Sequence, residues 1–345
     1  MRIVANTSQN IRLVELDALR GLAAIAVVLY HYTTRISEIY PNYSYSGFKF
    51  PYGNLGVQLF FLLSGFVIFL TIKNKLSPID FLKKRAIRLY PSYIICVMIT
   101  YLLISTFGLV GREVSISHAL INFSLMEGFI PGIKYVDGAY WSLTVEITFY
   151  IFIALLLYMG FMKYIFETLC LWLAASFTLF LLLEKTDYKL LEILYQKTIS
   201  NYSYLFIAGI SFYFLSQKFS WRYLALLLST LIFQYMSSDF TTFIVVMILY
   251  LILWGAINQK LKFLSNSLFV FLGNISYSLY LIHQNIGYII LLELNKLGIS
   301  SHYIIVIPLI TSILISYLIT IYCEKPMMKY LKTKFLKEKQ LSKAS

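Results

Sequence analysis

Apolar residues run along this chain in blocks of about twenty, the length a membrane-spanning helix requires, separated by short polar stretches. Ten blocks fit: 14–34, 54–72, 88–108, 141–160, 164–183, 200–217, 220–236, 240–257, 268–292 and 303–323. The segment 115–135 is interrupted by His118, Asn122, Glu127 and Pro131, and reads as a partly helical loop that lies on the membrane or re-enters it. The expected fold is an all-α integral membrane protein, a bundle of about ten transmembrane helices forming a single domain over 1–330. A basic tail, 331–345, is expected to be disordered and drawn to anionic lipid.

Composition strengthens this reading. Of 345 residues, 59% are hydrophobic and 13% charged, against ~25% charged in soluble domains, and the mean hydropathy is +0.74. Such a chain cannot cover its surface with polar groups, so lipid must be part of its solvent. The net charge of +13 invites a nucleic-acid partner, yet the cations fall between the apolar blocks, which excludes one. With the N-terminus placed in the cytoplasm, 20 of the 29 Lys and Arg residues face inward and 8 outward, with Arg20 inside a span. The positive-inside bias then puts both termini in the cytoplasm. The first span carries Asp17 and Arg20 within its apolar run and lacks a small-residue cleavage site, so it is expected as a retained helix. Cys96, Cys170 and Cys323 lie far apart in apolar runs and read as buried thiols, with no metal site.

Ionisable groups inside spans are costly and mark functional sites by default. Arg20 and His31 are eleven residues apart, about 20° past three full turns, so they leave one helix face roughly 16 Å apart along the axis. Asp17, three residues before Arg20, can neutralise it, and Gly21, Ala23 and Ala24 permit a close helix neighbour. Taken singly, Arg20 also reads as a snorkelling inner-end arginine and His31 as an interfacial histidine bonded to a carbonyl. Glu146 lies ~8 Å below the outer boundary by helical rise, at a depth similar to that of His31, and could orient or charge-balance the imidazole; it could equally pair with any arginine or lysine. Tyr150 shares its face, and Gln58 places an amide at the same depth. Arg85 and Arg88 are neighbours at i and i+3 on the cytoplasmic side, a spacing suited to phosphate recognition as well as to the ordinary positive-inside signal. An inner basic layer and an outer acid–base layer suit a phosphorylated carrier arm threading between them; charge and periodicity do not name the reaction.

Several segments together resemble acyltransferase family 3, a family of integral-membrane acyltransferases. They are Asp17-Ala-Leu-Arg20-Gly21 with His31, Gly56-Val-x-Leu-Phe-Phe-x-x-Ser64-Gly65-Phe, Arg85-x-x-Arg88-x-x-Pro91, and Asp137-Gly-x-Tyr-Trp141-Ser142-Leu-x-x-Glu146. Gly273-Asn-Ile-Ser276-Tyr277-Ser278-Leu-Tyr280-Leu-Ile-His283 and Glu324-Lys-Pro326 extend the likeness over nearly the whole chain. The resemblance implies an O-acyltransferase of the bacterial cytoplasmic membrane, with cytoplasmic acetyl-CoA as donor and a hydroxyl of a surface carbohydrate as acceptor. It implies His31 as the catalytic histidine with Arg20 as its partner, and Arg85 and Arg88 at the donor side. Glu146 is expected to hold the histidine tautomer, with Asp17, Gln58, Trp141, Ser142 and Tyr150 in support. Many members carry Asp where this chain has Gln58. His283 fits a signature and reads equally as a structural or a functional histidine, whereas His118 and His302 read as loop or interface residues. Rival readings are a flippase or transporter of a polysaccharide precursor, a non-catalytic component of an assembly complex, and an acyltransferase for a small molecule or peptidoglycan. Homo-oligomerisation stays open.

Overall fold

The computed structural model describes residues 14–43, 45, 47–72, 76–299 and 301–336. Arg2, Arg12, Lys73, Lys75 and the chain beyond 336, which carry part of the orientation argument, lie outside these. The described residues form helices and no strands. In order they are α1 Val14–Tyr30, α2 Ile36–Ile39, α3 Gly56–Thr71, α4 Pro78–Phe107, α5 Ile116–Asn122, α6 Trp141–Tyr158 and α7 Ile165–Leu183. There follow α8 Lys189–Lys197, α9 Ser203–Gln217, α10 Trp221–Ser237, α11 Phe240–Ile257, α12 Ser267–Lys296, α13 Val306–Leu318 and α14 Lys325–Leu336. Seven helical stretches among the described residues are long and apolar enough to cross a membrane. The other three expected spans are also helical: α1 carries Glu15, Asp17 and Arg20, and α9 and α10 have 15 and 17 residues.

Several boundaries differ from expectation for identifiable reasons. The third span was expected from 88 but α4 begins at Pro78. The Ser77 hydroxyl caps the Asp80 amide at 3.1 Å and Pro78 occupies the first turn, a strong start signal. Pro91 is therefore interior to a 30-residue helix. Helix continues through Leu336, into the stretch expected to open the disordered tail. The first span loses its α-register at His31–Arg35, a π-turn. There the Thr33 hydroxyl donates to the Leu29 carbonyl at 2.7 Å and competes with the backbone amide that an α-turn would place on it. A second π-turn, Ile319–Glu324, joins α13 to α14.

The chain divides into two compact units. The first gathers residues up to Ala23, Val57–Lys75 and Met159–Gly273. Its hub is α9, which is apolar and buried on every side from Ser203 to Phe212, as befits a helix surrounded by others. Small residues set its crossings. A β-carbon on Gly21 would stand 2.6 Å from the Gly273 amide nitrogen, and one on Gly65 or Gly209 would collide with the Phe206 or Leu62 carbonyl. Gly209→Ala is expected to lower stability by about 1–3 kcal/mol, since backbone faces backbone and neither side chain can yield. Gly255→Ala is the control: its β-carbon meets only Leu261 at 3.4–3.8 Å, so thermal unfolding should be unchanged or raised.

The second unit comprises Ala24–Gly56, Leu76–Tyr158 and Asn274 onward. Its core packs Tyr93, Cys96 and Val97 of α4, Leu143 of α6 and Leu281, Ile282 and Ile286 of α12. The interrupted segment after α4 folds as α5 and two turns against this core. Asn122 holds it by donating to the His118 and Lys134 carbonyls and accepting from the Val136 amide. Glu127, 2% exposed, accepts from the Tyr93 hydroxyl at 2.8 Å, while its second carboxyl oxygen is buried without a partner. Burial pushes its pKa up to about 7. The folded chain thus holds this proton more tightly than the unfolded one. The associated stability is complete below the ordinary carboxyl value and is lost as pH rises through about 7. Unfolding scans from pH 5 to 8 should show a fall of up to about 3 kcal/mol, flattened in Glu127→Gln; an equal fall in both proteins would refute this.

Candidate active site

His31 stands in the second unit as the first residue of the π-turn, a widened turn common at functional sites. Its Nδ1 lies 2.9 Å from the Tyr288 hydroxyl, and its ring packs against His283 with centroids 5.0 Å apart. Tyr32, the next residue, donates to the His283 carbonyl at 2.8 Å and meets the Ser312 hydroxyl at 2.9 Å. The widened turn and the middle of α12 are thereby fixed to each other. The β-carbon site of Gly287 is filled by the Tyr32 ring, so a side chain there would displace it.

His283 is fully buried, and its Nδ1 lies 2.8 Å from the Tyr280 carbonyl. A carbonyl only accepts, so Nδ1 carries the proton and Nε2 presents a lone pair, which has no hydrogen-bond partner. The Tyr280 hydroxyl donates to the Ala139 carbonyl at 3.0 Å and meets the Ser142 hydroxyl at 2.7 Å. Ser142 therefore braces the segment that carries His283. Asp137, fully buried, caps the entry to α6 through the Ala139 amide and accepts from the Asn285 amide of α12. The Asn285 side chain in turn donates to the Val136 carbonyl at 2.8 Å and accepts from Arg112 at 3.1 Å.

Glu146 takes a different place from the one expected. It accepts a 2.5 Å hydrogen bond from Tyr150, one turn on, and the ring of Tyr150 lies 5.6 Å from the Arg85 guanidinium. The groups recorded around His31 are Tyr30, His283 and Tyr288, with Arg35 and Arg112 beyond. Tyr288 thus occupies the orienting position expected of Glu146. Arg85 also lies over Phe81, and Arg88 over Tyr277. Arg88 pairs with Glu324 at 2.5 Å, and the same carboxylate accepts from Ser92 at 2.7 Å and Ser278 at 3.1 Å. The Glu324 side chain is 4% exposed and that of Arg88 38%, so one edge of the arginine remains accessible to an anion.

Three of the other expected site residues, Asp17, Arg20 and Gln58, belong to the first unit. Asp17 and Arg20 form the anticipated local ion pair at 3.6 Å. Gln58 accepts from the Tyr204 hydroxyl at 3.4 Å, as polar contacts between packed helices do. Trp141 opens α6 in the second unit. Sequence reading passed over Tyr288, Asn285 and Arg112 as site residues, and met Asp137 only as the opening of a motif. One signal was present: His283, Gln284 and Asn285 are consecutive polar residues in the middle of an apolar span, and all three are buried.

A curated protein of Shigella phage Sf6, named O-acetyl transferase, is 28% identical over 156 residues, 39% of this chain. The chain spans 43% of the length of that relative. No solved structure matches. The family model described as an acyltransferase domain matches residues 13–321, nearly the full length, and the chain belongs to acyltransferase family 3.

Proposed function

We propose that the protein is a multi-pass O-acyltransferase of the bacterial cytoplasmic membrane. It moves an acyl group, acetyl in the first instance, from cytoplasmic acetyl-CoA to a hydroxyl of a surface carbohydrate at the outer face. The observation that carries this is the packed pair of half-buried His31 and buried His283, held by Tyr288 and the Tyr280 carbonyl in a chain of this family. The name of the phage relative supports acetyl as the group and oxygen as the acceptor atom.

In the proposed reaction His31 carries its proton on Nδ1, donated to the Tyr288 hydroxyl, and presents an Nε2 lone pair. Nε2 takes the acceptor hydroxyl proton as the oxygen attacks the thioester carbonyl carbon. The carbon–sulfur bond then breaks, and the departing thiolate of coenzyme A receives a proton from the imidazolium, which restores His31. A fixed tautomer matters because the wrong one leaves no base at the reacting atom. Arg85 and the accessible edge of Arg88 would face the phosphates of the donor, to which guanidinium groups bond in pairs.

The test is the O-acetyl content of surface polysaccharide, by NMR, in a deletion strain carrying wild-type or His31→Ala protein at equal expression. Acetyl groups restored by wild type alone support the proposal. Equal acetylation in the deletion strain and both complemented strains removes the surface glycan as acceptor and points to a small molecule, peptidoglycan or transport.

A further inference from the structure

A cavity of about 600 Å³ opens in the second unit beside the histidines, bounded by Tyr40, Arg112, Lys134, Gly138 and Asn285. It is one side chain from His31: the Arg112 guanidinium lies 5.3 Å from the centre of the Tyr288 ring, whose hydroxyl meets His31. Along α4 it is remote from the donor-side arginines, since Arg88 and Phe107 are nineteen residues, or roughly 29 Å, apart on that helix.

The cations of this cavity are not engaged in ion pairs with the described residues. Among the described residues no carboxylate lies within ion-pair distance of Arg112 or Lys134. Glu113, the nearest acid in sequence, turns back to accept from the Gly111 amide at 3.2 Å. Arg35, on the neighbouring π-turn, is matched by Glu38 at 2.6 Å. Asp137 lies beneath, both its oxygens occupied by the Ala139 and Asn285 amides, so neither it nor Glu113, whose charge reaches Tyr40, bonds Arg112 or Lys134. Arg112 is half-buried and anchored by Asn285 at 3.1 Å, and its guanidinium is further placed over the Tyr288 ring. A fixed, half-buried guanidinium with a second cation on the rim suits an oxyanion of a ligand.

Resting on the acyltransferase reading above, we infer that this cavity receives the acceptor, and that the acceptor is an acidic glycan whose carboxylate is bound by Arg112 with help from Lys134. The anchored acid would place a neighbouring hydroxyl at His31.

The inference is tested with full-length protein in nanodiscs, measuring affinity for trigalacturonate, maltotriose and coenzyme A. Wild type and His31→Ala should bind trigalacturonate at least roughly tenfold more tightly than maltotriose, the scale of one charge-assisted contact. Arg112→Gln should bring that ratio below about twofold and leave coenzyme A affinity unchanged, while Arg112→Lys should keep part of the preference. Because Arg112 also anchors Asn285, Lys134→Gln serves as a second variant on an exposed side chain, expected to weaken trigalacturonate binding about threefold. Equal affinity of wild type for both sugars overturns the inference. So does an Arg112→Gln variant that loosens coenzyme A and spares trigalacturonate, which would make the anion the phosphate of the donor. Acetyl transfer from acetyl-CoA, followed on the same preparations, separates the two proposals: Arg112-dependent sugar binding without transfer retains the acid-binding site and defeats the acyltransferase reading.

Discussion

His31→Ala is expected to lower acetyl transfer by about 10³-fold, within the range a positioned general base supplies. Three observations support so large an effect from one ring. Its Nδ1 is held by Tyr288 at 2.9 Å, its neighbour Tyr32 is locked to α12, and His283 is committed to the Tyr280 carbonyl. With its proton spent there, the fixed lone pair of His283 is not in the place of His31 and should not replace it. The structural cost of the substitution is small by comparison, since His31 is only half-buried and its ring bonds the Tyr288 hydroxyl. Losing such a bond costs about 1 kcal/mol. Acetyl release from radiolabelled acetyl-CoA into glycan, compared at equal amounts of monodisperse protein, checks this. Activity within threefold of wild type would remove His31 from the reaction.

The second large effect is one of folding. Arg88→Ala strands the Glu324 carboxylate, 4% exposed, with only the Ser92 and Ser278 hydroxyls. Breaking a buried ion pair by deleting one partner costs about 3–5 kcal/mol, because the surviving charge is left uncompensated. Thermal unfolding in detergent should show this loss, and adding Glu324→Gln to Arg88→Ala should recover much of it by removing the charge. If Arg88 serves the donor alone, the single variant will unfold at the wild-type temperature and show only a raised KM for acetyl-CoA. A combined result, lower stability with a higher KM in the protein that remains folded, fits an arginine with one paired edge and one accessible edge.

What the sequence made legible is what helical rise and periodicity encode. Block length gave the helices, Asp17 and Arg20 met at the spacing expected, and the close approaches at Gly21 and Gly65 followed from their lack of a side chain. Depth was argued from helical rise, and depth does not fix direction around a helix axis. Glu146 and His31 were matched by rise alone, while the carboxylate bonds Tyr150 on its own helix, a local partner that requires no other element to arrive. Tyr288 lies 257 residues from His31 in sequence, and an aromatic residue in an aromatic-rich chain gives no signal. Glu324 was visible only as part of Glu-Lys-Pro, with nothing local to announce that Arg88 would meet it 236 residues away.

The π-turn at His31 also sets the phase of everything after it. A turn closed by i→i+5 hydrogen bonds takes more residues than the 3.6 of an α-turn and so rotates the chain less per residue, and the segment from Ile36 leaves on a different azimuth from the one α1 would have given it. That phase seats Ile36, which is fully buried, and directs the hydroxyls of Thr33 and Thr34 to the Phe50 amide, each at 3.1 Å. The inserted residue therefore acts as an indexing step: it aims the imidazole and the loop beyond it together. Forcing 31–35 into α-geometry at unchanged length would rotate that loop by about 100°, whereas removing one of these residues together with the widened turn would leave its direction nearly the same.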